Sequence, residues 1–392
     1  MNDTLLYITA HLPHVAAAIL LLCLLAYMLI RFPVYRLRGK HFLYLPTEMG
    51  GEEFLSVVVV ATGDDQALQQ HLEWIATQSY AHYEVVVVYD VARLDVAEVV
   101  GIMENKYGHV RHTFMPESVQ GVSKQKLAFT LGIRSAKSQW VVLLTSDNVP
   151  AGRDWLSYMA KAVSDDYDMV LSYSNYENDG SLDASRWTLD RILRQLRYFH
   201  AAASRSKGRA VGGFLSGMML RKQAFTDGRG FASGLHQHGG EDLLLVDGLA
   251  REGRTAVLLH PEATIAVQLP QYVGDWEKQR LQSLRSTRYL SRRAKNERLR
   301  WGVSTACMYL ALLLTVGLLV WYVMVSAYLL SFGLAGLSVL VWLVDQYLFS
   351  RTTEKLGEGS FFLLYPAYNL TQPLYNLAYR IRSRFGRRAV QI

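Results

Sequence analysis

A chain of 392 residues has room for two or three domains, and its 51% apolar content is high for a protein that lives wholly in water. The net charge of +7 admits nucleic acid, an anionic membrane surface or an anionic substrate as partner. The basic residues cluster beside apolar runs instead of forming an aromatic-interleaved soluble patch, which speaks for the membrane and against nucleic acid. Only Cys23 and Cys307 occur, both inside apolar stretches. They read as packing residues, with no disulfide framework or cysteine-based zinc site available.

The first predicted element is a membrane-spanning helix over residues 12–32, a run without charge before Arg31. About 20 such residues cross ~30 Å of hydrocarbon. A cleaved signal peptide is the rival reading. No basic segment precedes the run, and Arg36, Arg38 and Lys40 stand where a small-residue cleavage site belongs, so an anchor over residues 1–40 is favoured. A soluble α/β domain is expected next, over residues 41–300. LSVVVV (55–60), EVVVVY (84–89) and WVVLLT (140–145) are short β-branched runs of the kind buried on both faces of a parallel sheet. Helical patterns at 66–78 and 123–137 alternate with them, which predicts a doubly wound sheet with ligands at the carboxyl ends of its strands.

Residues 303–349 are nearly free of charge and long enough for two spans, with an interruption at Ser331 and Gly333 that predicts the turn of a hairpin over 301–350. Trp321, Tyr322, Tyr328, Trp342 and Tyr347 read as an interfacial aromatic belt. Arg288, Arg292, Arg293, Lys295, Arg298 and Arg300 precede the hairpin, and Arg351 and Lys355 follow it. Cationic loops prefer the cytoplasm, so these charges and the large middle region are assigned to that side of the cell (inner) membrane. In residues 351–392, the apolar segment 361–379 contains Pro366 and Pro373 and leads into a basic tail. A further crossing would carry that tail outside, so the segment is read as an interfacial or re-entrant helix.

Several positions carry candidate chemistry. Asp64 and Asp65 follow the first strand and Asp90 ends the second, where carboxylates can accept from a base or ribose. Gly121-Val122-Ser123-Lys124-Gln125-Lys126 opens a helix, so its N-terminus with Lys124 or Lys126 suits a diphosphate. Asp147, at a strand end, could share Mg²⁺ or Mn²⁺ with that phosphate. Glu241 and Asp242 begin another helical pattern after two glycines; a neighbouring carboxylate and partial burial would fit one of them to act as a general base. His236 and His238 have the look of a two-ligand pair on a strand, but no third Cys or His stands near them.

The order and spacing of six segments resemble the membrane-associated family-2 glycosyltransferases: LSVVVVATGDD, YEVVVVYD, SKQKLAFTLGIRSAKSQWVVLLTSDNVPAGRDWL, VGGFLSGMMLRKQAF, GGEDLLLVDGLA and Gln282-Ser283-Leu284-Arg285. The resemblance implies an α/β GT-A fold, a Rossmann-like nucleotide-diphospho-sugar transferase domain with N- and C-terminal transmembrane helices. It implies nucleotide contacts from Asp64 or Asp65 and from Asp90, a metal and diphosphate site at Asp147, and a base in the pair Glu241–Asp242. Gln282 and Arg285 would close the donor site, Gly212 and Gly217 would face the acceptor, and His260 could complete the metal shell. This sequence departs from the family at Thr145, where the first aspartate of the D-x-D motif belongs, and at Ser286, where the family has Trp. The expected activity is inverting hexosyl transfer from a nucleotide sugar to a lipid-linked or envelope-glycan acceptor. Three crossings are too few for a polymer channel without an oligomer or membrane partner. The alternative is a silent homologue serving as a scaffold in a glycan-assembly complex.

Overall fold

The computed structural model describes residues 2–44, 52–61, 67–116, 121–177 and 179–385. These form two compact units. Residues up to Leu37 group with Lys295–Leu374, and Arg38–Ala294 group with the segment from Tyr375 onward.

After a long first helix, α1 (Asn2–Tyr35), the larger unit builds an eight-stranded sheet. Its strands are β1 (Phe42–Leu43), β2 (Leu55–Val60), β3 (Tyr83–Asp90), β4 (Val110–Met115), β5 (Trp140–Thr145), β7 (Met169–Ser172), β9 (Met218–Arg221) and β10 (Thr255–Leu258). The order across the sheet is β1-β10-β7-β9-β5-β2-β3-β4. Neighbours run parallel except at β9, which is antiparallel to both β5 and β7. A second sheet pairs β6 (Asn148–Pro150) and β8 (Ser174–Tyr176) with β11 (Ile265–Val267). The three predicted strands occupy the centre, and Val57–Val60, Val85–Val88 and Val141–Leu144 are fully buried. Side chains of this size stabilise by ~1.5–3 kcal/mol each when buried, which is why continuous β-branched runs mark the middle of such a sheet.

Helices α2 (Leu68–Ala76), α3 (Leu94–Lys106), α4 (Lys124–Ser135) and α5 (Trp155–Lys161) connect the strands, followed by α6 (Leu182–Ala203), α7 (Lys222–Asp227), α8 (Glu241–Leu249) and α9 (Val273–Ser286). Ser123 caps α4, its Oγ accepting from the amide of Lys126. The predicted helices at 66–78 and 123–137 are thus present, each trimmed by a few residues at its ends.

Beyond α9 lie α10 (Arg292–Met324), α11 (Tyr328–Lys355) and α12 (Leu364–Phe385). The part of α12 that belongs to the larger unit braces α9. Arg280 donates to Asn376 Oδ1 at 3.0 Å and Tyr379 donates to Glu277 at 3.1 Å, while Tyr379 packs in a cluster with Trp187, Trp276 and Leu284.

In the smaller unit, His11–Tyr35, Arg292–Met324 and Tyr328–Lys355 are long and apolar enough to cross a membrane. Two buried polar pairs tie α12 to these helices: Arg31 donates to Asn369 Oδ1 at 3.0 Å, and Tyr365 donates to Asp345 Oδ2 at 2.6 Å. The hairpin turn falls at residues 325–327, earlier than the sequence indicated. Ser326 takes a left-handed φ of 59° and the amide of Ala327 bonds to the carbonyl of Tyr322 at 2.8 Å, closing the helix there. Ser331 and Gly333 instead lie within α11, where Ser331 Oγ donates to the carbonyl of Leu319 at 3.2 Å. Tyr322 likewise departs from the expected belt, being buried in the apolar cluster with Leu20, Leu24 and Met308. The segment with two prolines is one uninterrupted helix, α12. Pro366 sits in its first turn, where no acceptor for its amide would exist, and only Pro373 is interior.

Candidate active site

A cavity of about 1020 Å³ opens where the carboxyl ends of β2, β3 and β5 meet α4, α6, α8 and α9. Asp90, Lys124, Asp147, Glu241, Asp242 and Gln282 all line it, so the topology gathers six of the residues singled out in the sequence. Asp64 and Asp65 lie outside the described residues.

Asp90 ends β3 and accepts from Lys124 Nζ at 2.6 Å and from the amide of Ala92 at 3.1 Å. The lysine ammonium, followed by that amide, holds its carboxyl below the usual range. Lys124 is the first residue of α4, so its charge stands at a helix N-terminus on the cavity wall.

Asp147 follows β5. Its Oδ1 accepts from the Thr145 hydroxyl and from Asn148 Nδ2 at 3.0 Å. Burial pushes its carboxyl up, against the opposing pull of Thr145, Arg191 and His71. The loop behind it is fixed by His71, which donates from Nδ1 to the carbonyl of Ser146 at 2.7 Å and accepts from Gln268 at Nε2. Thr145 therefore acts on Asp147 as a hydrogen-bond donor.

The two acidic residues at the start of α8 have different surroundings. Glu241 is buried, and its Oε1 accepts from Ser123 Oγ at 3.1 Å and from the amide of Gly239 at 3.0 Å. It ties α4 to the glycine turn. Asp242 uses Oδ1 to accept from the amide of Leu243 at 2.7 Å. Burial raises its carboxyl and Glu241 adds to the rise, while Arg194 and Arg191 oppose it.

The glycine turn holds α8 against α9. Gly239 and Gly240 have φ of 83° and 69°, and a Cβ at either position would collide with Gln282 or Ser286. Ser286 Oγ lies 3.0 Å from the Gly239 carbonyl and accepts from Gln237 Nε2 at 2.9 Å. A tryptophan has no room at this contact, which accounts for serine there.

Of the other singled-out residues His238 also lines the cavity, while Lys126, Gly212, Gly217, His236, His260 and Arg285 do not. Lys126 is fully buried, and its ammonium donates to the carbonyls of Gly234 and Gln237, each at 2.7 Å. It orders the loop before α8 and does not line the cavity, and burial lowers its pKa. His260 stacks on Tyr158 at 3.9 Å and accepts from the amide of Glu262, capping a short 3₁₀ turn away from the cavity. Gly212 packs on Tyr198 and Leu243, and Gly217 packs on Ser172 and Ile265, leaving the span between them, Phe214–Ser216, to line the cavity. Arg285 is half-buried on α9 and is not a lining residue. His236 and His238 fall in a loop, not on a strand, since the carbonyls there are taken by Lys126; His236 bonds to the carbonyl of Gly121 at 2.7 Å. Among the described residues no group of three or more His, Cys, Asp or Glu is arranged to hold a metal ion.

Sequence reasoning missed Arg191 and Arg194, which reach the cavity from α6. The signal was a stripe at helical spacing, Trp187-Arg191-Arg194-Tyr198, in which two cations occupy positions a core-facing helix normally gives to apolar side chains.

The family model described as "Glycosyltransferase like family 2" matches residues 52–301. In three dimensions the chain is similar to the mannosyltransferase PcManGT from Pyrobaculum calidifontis, solved in complex with GDP-Man and Mn²⁺. The TM-score is 0.56 at 16% identity, over 96% of this chain and 99% of that one. It aligns with a TarS fragment from S. aureus in complex with UDP-GlcNAc at TM-score 0.41 and 17% identity, over 58% of this chain and 64% of that one. No curated protein matches the chain.

Proposed function

The chain belongs to the family 2 glycosyltransferases, with a GT-A fold, and on that premise we propose that it is an inverting hexosyltransferase. Its donor is a nucleotide-diphosphate sugar and its acceptor a lipid-linked or envelope glycan at the inner membrane face. The observation that carries this reading is the unequal environment of the two carboxylates at the start of α8. Glu241 is committed to Ser123 and Gly239, whereas Asp242 lines the cavity with a raised pKa. A carboxylate so placed serves as general base. Asp242 takes the proton of an acceptor hydroxyl, the hydroxyl oxygen forms the new bond to the anomeric carbon, and the bond from that carbon to the β-phosphate oxygen breaks. The electron pair leaves with the nucleoside diphosphate.

The residues fit a divalent cation shared with substrate, not a closed protein cage. Asp147 is a hard oxygen donor on the cavity wall, its partners all on one oxygen, Oδ1. Mg²⁺ and similar ions are commonly held by one or two carboxylates plus phosphate oxygens. A cation there supplies positive charge to the diphosphate. Asp90, Lys124 and Gln282 bind and orient the nucleotide in this reading.

Thr145 in place of the first motif aspartate favours a second reading, a scaffold that keeps the fold without catalysis. Calorimetry with UDP, GDP and their sugars in the presence of Mn²⁺ separates the two: a transferase binds at least one with a sugar-dependent affinity, and binding of none supports the scaffold.

In the proposed topology the N-terminus is outside, and the larger unit and basic tail are inside. A cysteine introduced at Ser360 is then expected to react with an impermeant thiol reagent only after cells are opened. Labelling in intact cells would overturn that orientation.

A further inference from the structure

One cation on the cavity wall is buried without a direct ion pair among the described residues. Arg191 is 5% exposed, yet among the described residues no carboxylate lies within ion-pairing distance of it. Its neighbours on the wall differ: Arg194 and Arg280 share the carboxylate of Asp190, at 2.8 and 3.2 Å. Burying a cation without a counter-charge is costly, and a structural arginine would be expected to carry its own partner. The guanidinium is nevertheless held firmly. Nε donates to the carbonyl of Ser174 at 2.9 Å, and Nη2 donates to Ser174 Oγ at 2.8 Å and Ser216 Oγ at 3.3 Å. The ring of Phe214 lies 4.1 Å from its central carbon and that of Tyr176 lies 5.2 Å away. Three of the five N–H groups belong to these anchored nitrogens, and the two on Nη1 have no protein partner among the described residues, although Arg191 lines the cavity. Arg191, Asp147 and Asp242 line the same cavity, and both carboxylates feel its charge without bonding to it.

We propose that Arg191 is a phosphate-binding residue whose Nη1 edge receives the β-phosphate oxygens of the nucleoside diphosphate as it departs. The proposal rests on the reading of the cavity as a nucleotide-sugar site. It supplies what the change of aspartate to Thr145 removes: with one carboxylate fewer for a cation, part of the leaving charge is met by a fixed guanidinium. A preorganised donor of this type acts where charge develops, so it contributes to the rate as well as to binding.

The test is calorimetric titration of the full chain in detergent with UDP and GDP, in excess Mn²⁺ and in chelator, for the parent, Arg191→Gln and Arg191→Lys. Uridine and guanosine serve as phosphate-free controls, and thermal unfolding reports folding. A charge-assisted bond is worth ~1.5–3 kcal/mol, so Arg191→Gln should lose roughly 10- to 150-fold in diphosphate affinity under both conditions. Nucleoside affinity should not change. Arg191→Lys keeps the charge without the fork and should fall between, which preserves the test if the Gln variant does not fold. Unchanged diphosphate affinity in a folded variant overturns the proposal, whether the residue then proves a brace or, by a raised acceptor KM alone, a contact for an acceptor phosphate. Failure of the parent to bind either nucleotide would instead sink the nucleotide-sugar reading itself.

Discussion

Asp242→Asn is expected to cut sugar transfer by ~10²–10⁴ while the nucleotide dissociation constant stays within a few-fold. The amide keeps the size of the side chain and can still accept from the amide of Leu243, so α8 should begin as before. Only basicity is lost. Glu241→Gln should cost less in rate, because the role of Glu241 is to hold Ser123 and Gly239 together, and it should lower the melting temperature. The pH dependence carries the sign of the burial. A base must be ionised, and Asp242 is held above the ordinary aspartate value of ~3.9, so the acid limb of kcat should lie above that value. The same shift opposes folding near neutrality. A carboxyl with a raised folded-state pKa stabilises below its unfolded pKa, and the contribution is lost as pH rises through the folded value. Asp242→Asn should therefore melt higher than the parent at pH 7, which distinguishes loss of the base from loss of the fold. If the Asn variant transfers at the parental rate while the Gln variant does not, the base is Glu241.

Asp147→Ala should abolish divalent-cation-dependent donor binding. Removing outer partners of a metal ligand costs ~10–100-fold in metal affinity, so removal of the ligand itself should cost at least ~100-fold. Thr145→Asp should leave that binding intact or strengthen it, since the hydroxyl that now bonds to Asp147 would become a second carboxylate beside it. In chelator the two carboxylates would repel, so this variant should melt lower than the parent and gain more from added Mn²⁺. Thermal shift against Mn²⁺ concentration reads both effects, because a ligand at 100 times its Kd stabilises by ~2.7 kcal/mol. If both variants bind donor and metal like the parent, Asp147 is a turn residue.

The central sheet was legible because its strands are buried on both faces, which leaves a continuous β-branched signature in LSVVVV, EVVVVY and WVVLLT. The carboxylates at strand and helix ends were legible by position, and the fold brings Asp90, Asp147 and Asp242 to one cavity. What sequence could not supply was the direction of a side chain. Lys124 and Lys126 stand two residues apart at the same helix start, yet one faces the cavity and the other is buried under the loop before α8. Two residues are about 200° of helical turn, so only one of them can face the donor. Arg191 went unnoticed because its helix lies outside the six segments, and its place on the cavity wall depends on Phe214 and Ser216 from the segment after it. The hairpin turn was misplaced because Ser331 and Gly333 are tolerated within an apolar helix when a carbonyl such as that of Leu319 is within reach. Ser286 looked like a loss at a motif position, but the tight approach of Gly240 to α9 requires a side chain that small.

Direct displacement assisted by Asp242 inverts the anomeric carbon, so the configuration of the product tests it most directly. Transfer from an α-linked nucleotide sugar, with the product linkage read by the one-bond C1–H1 coupling in NMR, should give the β-linked product with one nucleoside diphosphate released per linkage formed. A product that keeps the α configuration would contradict it.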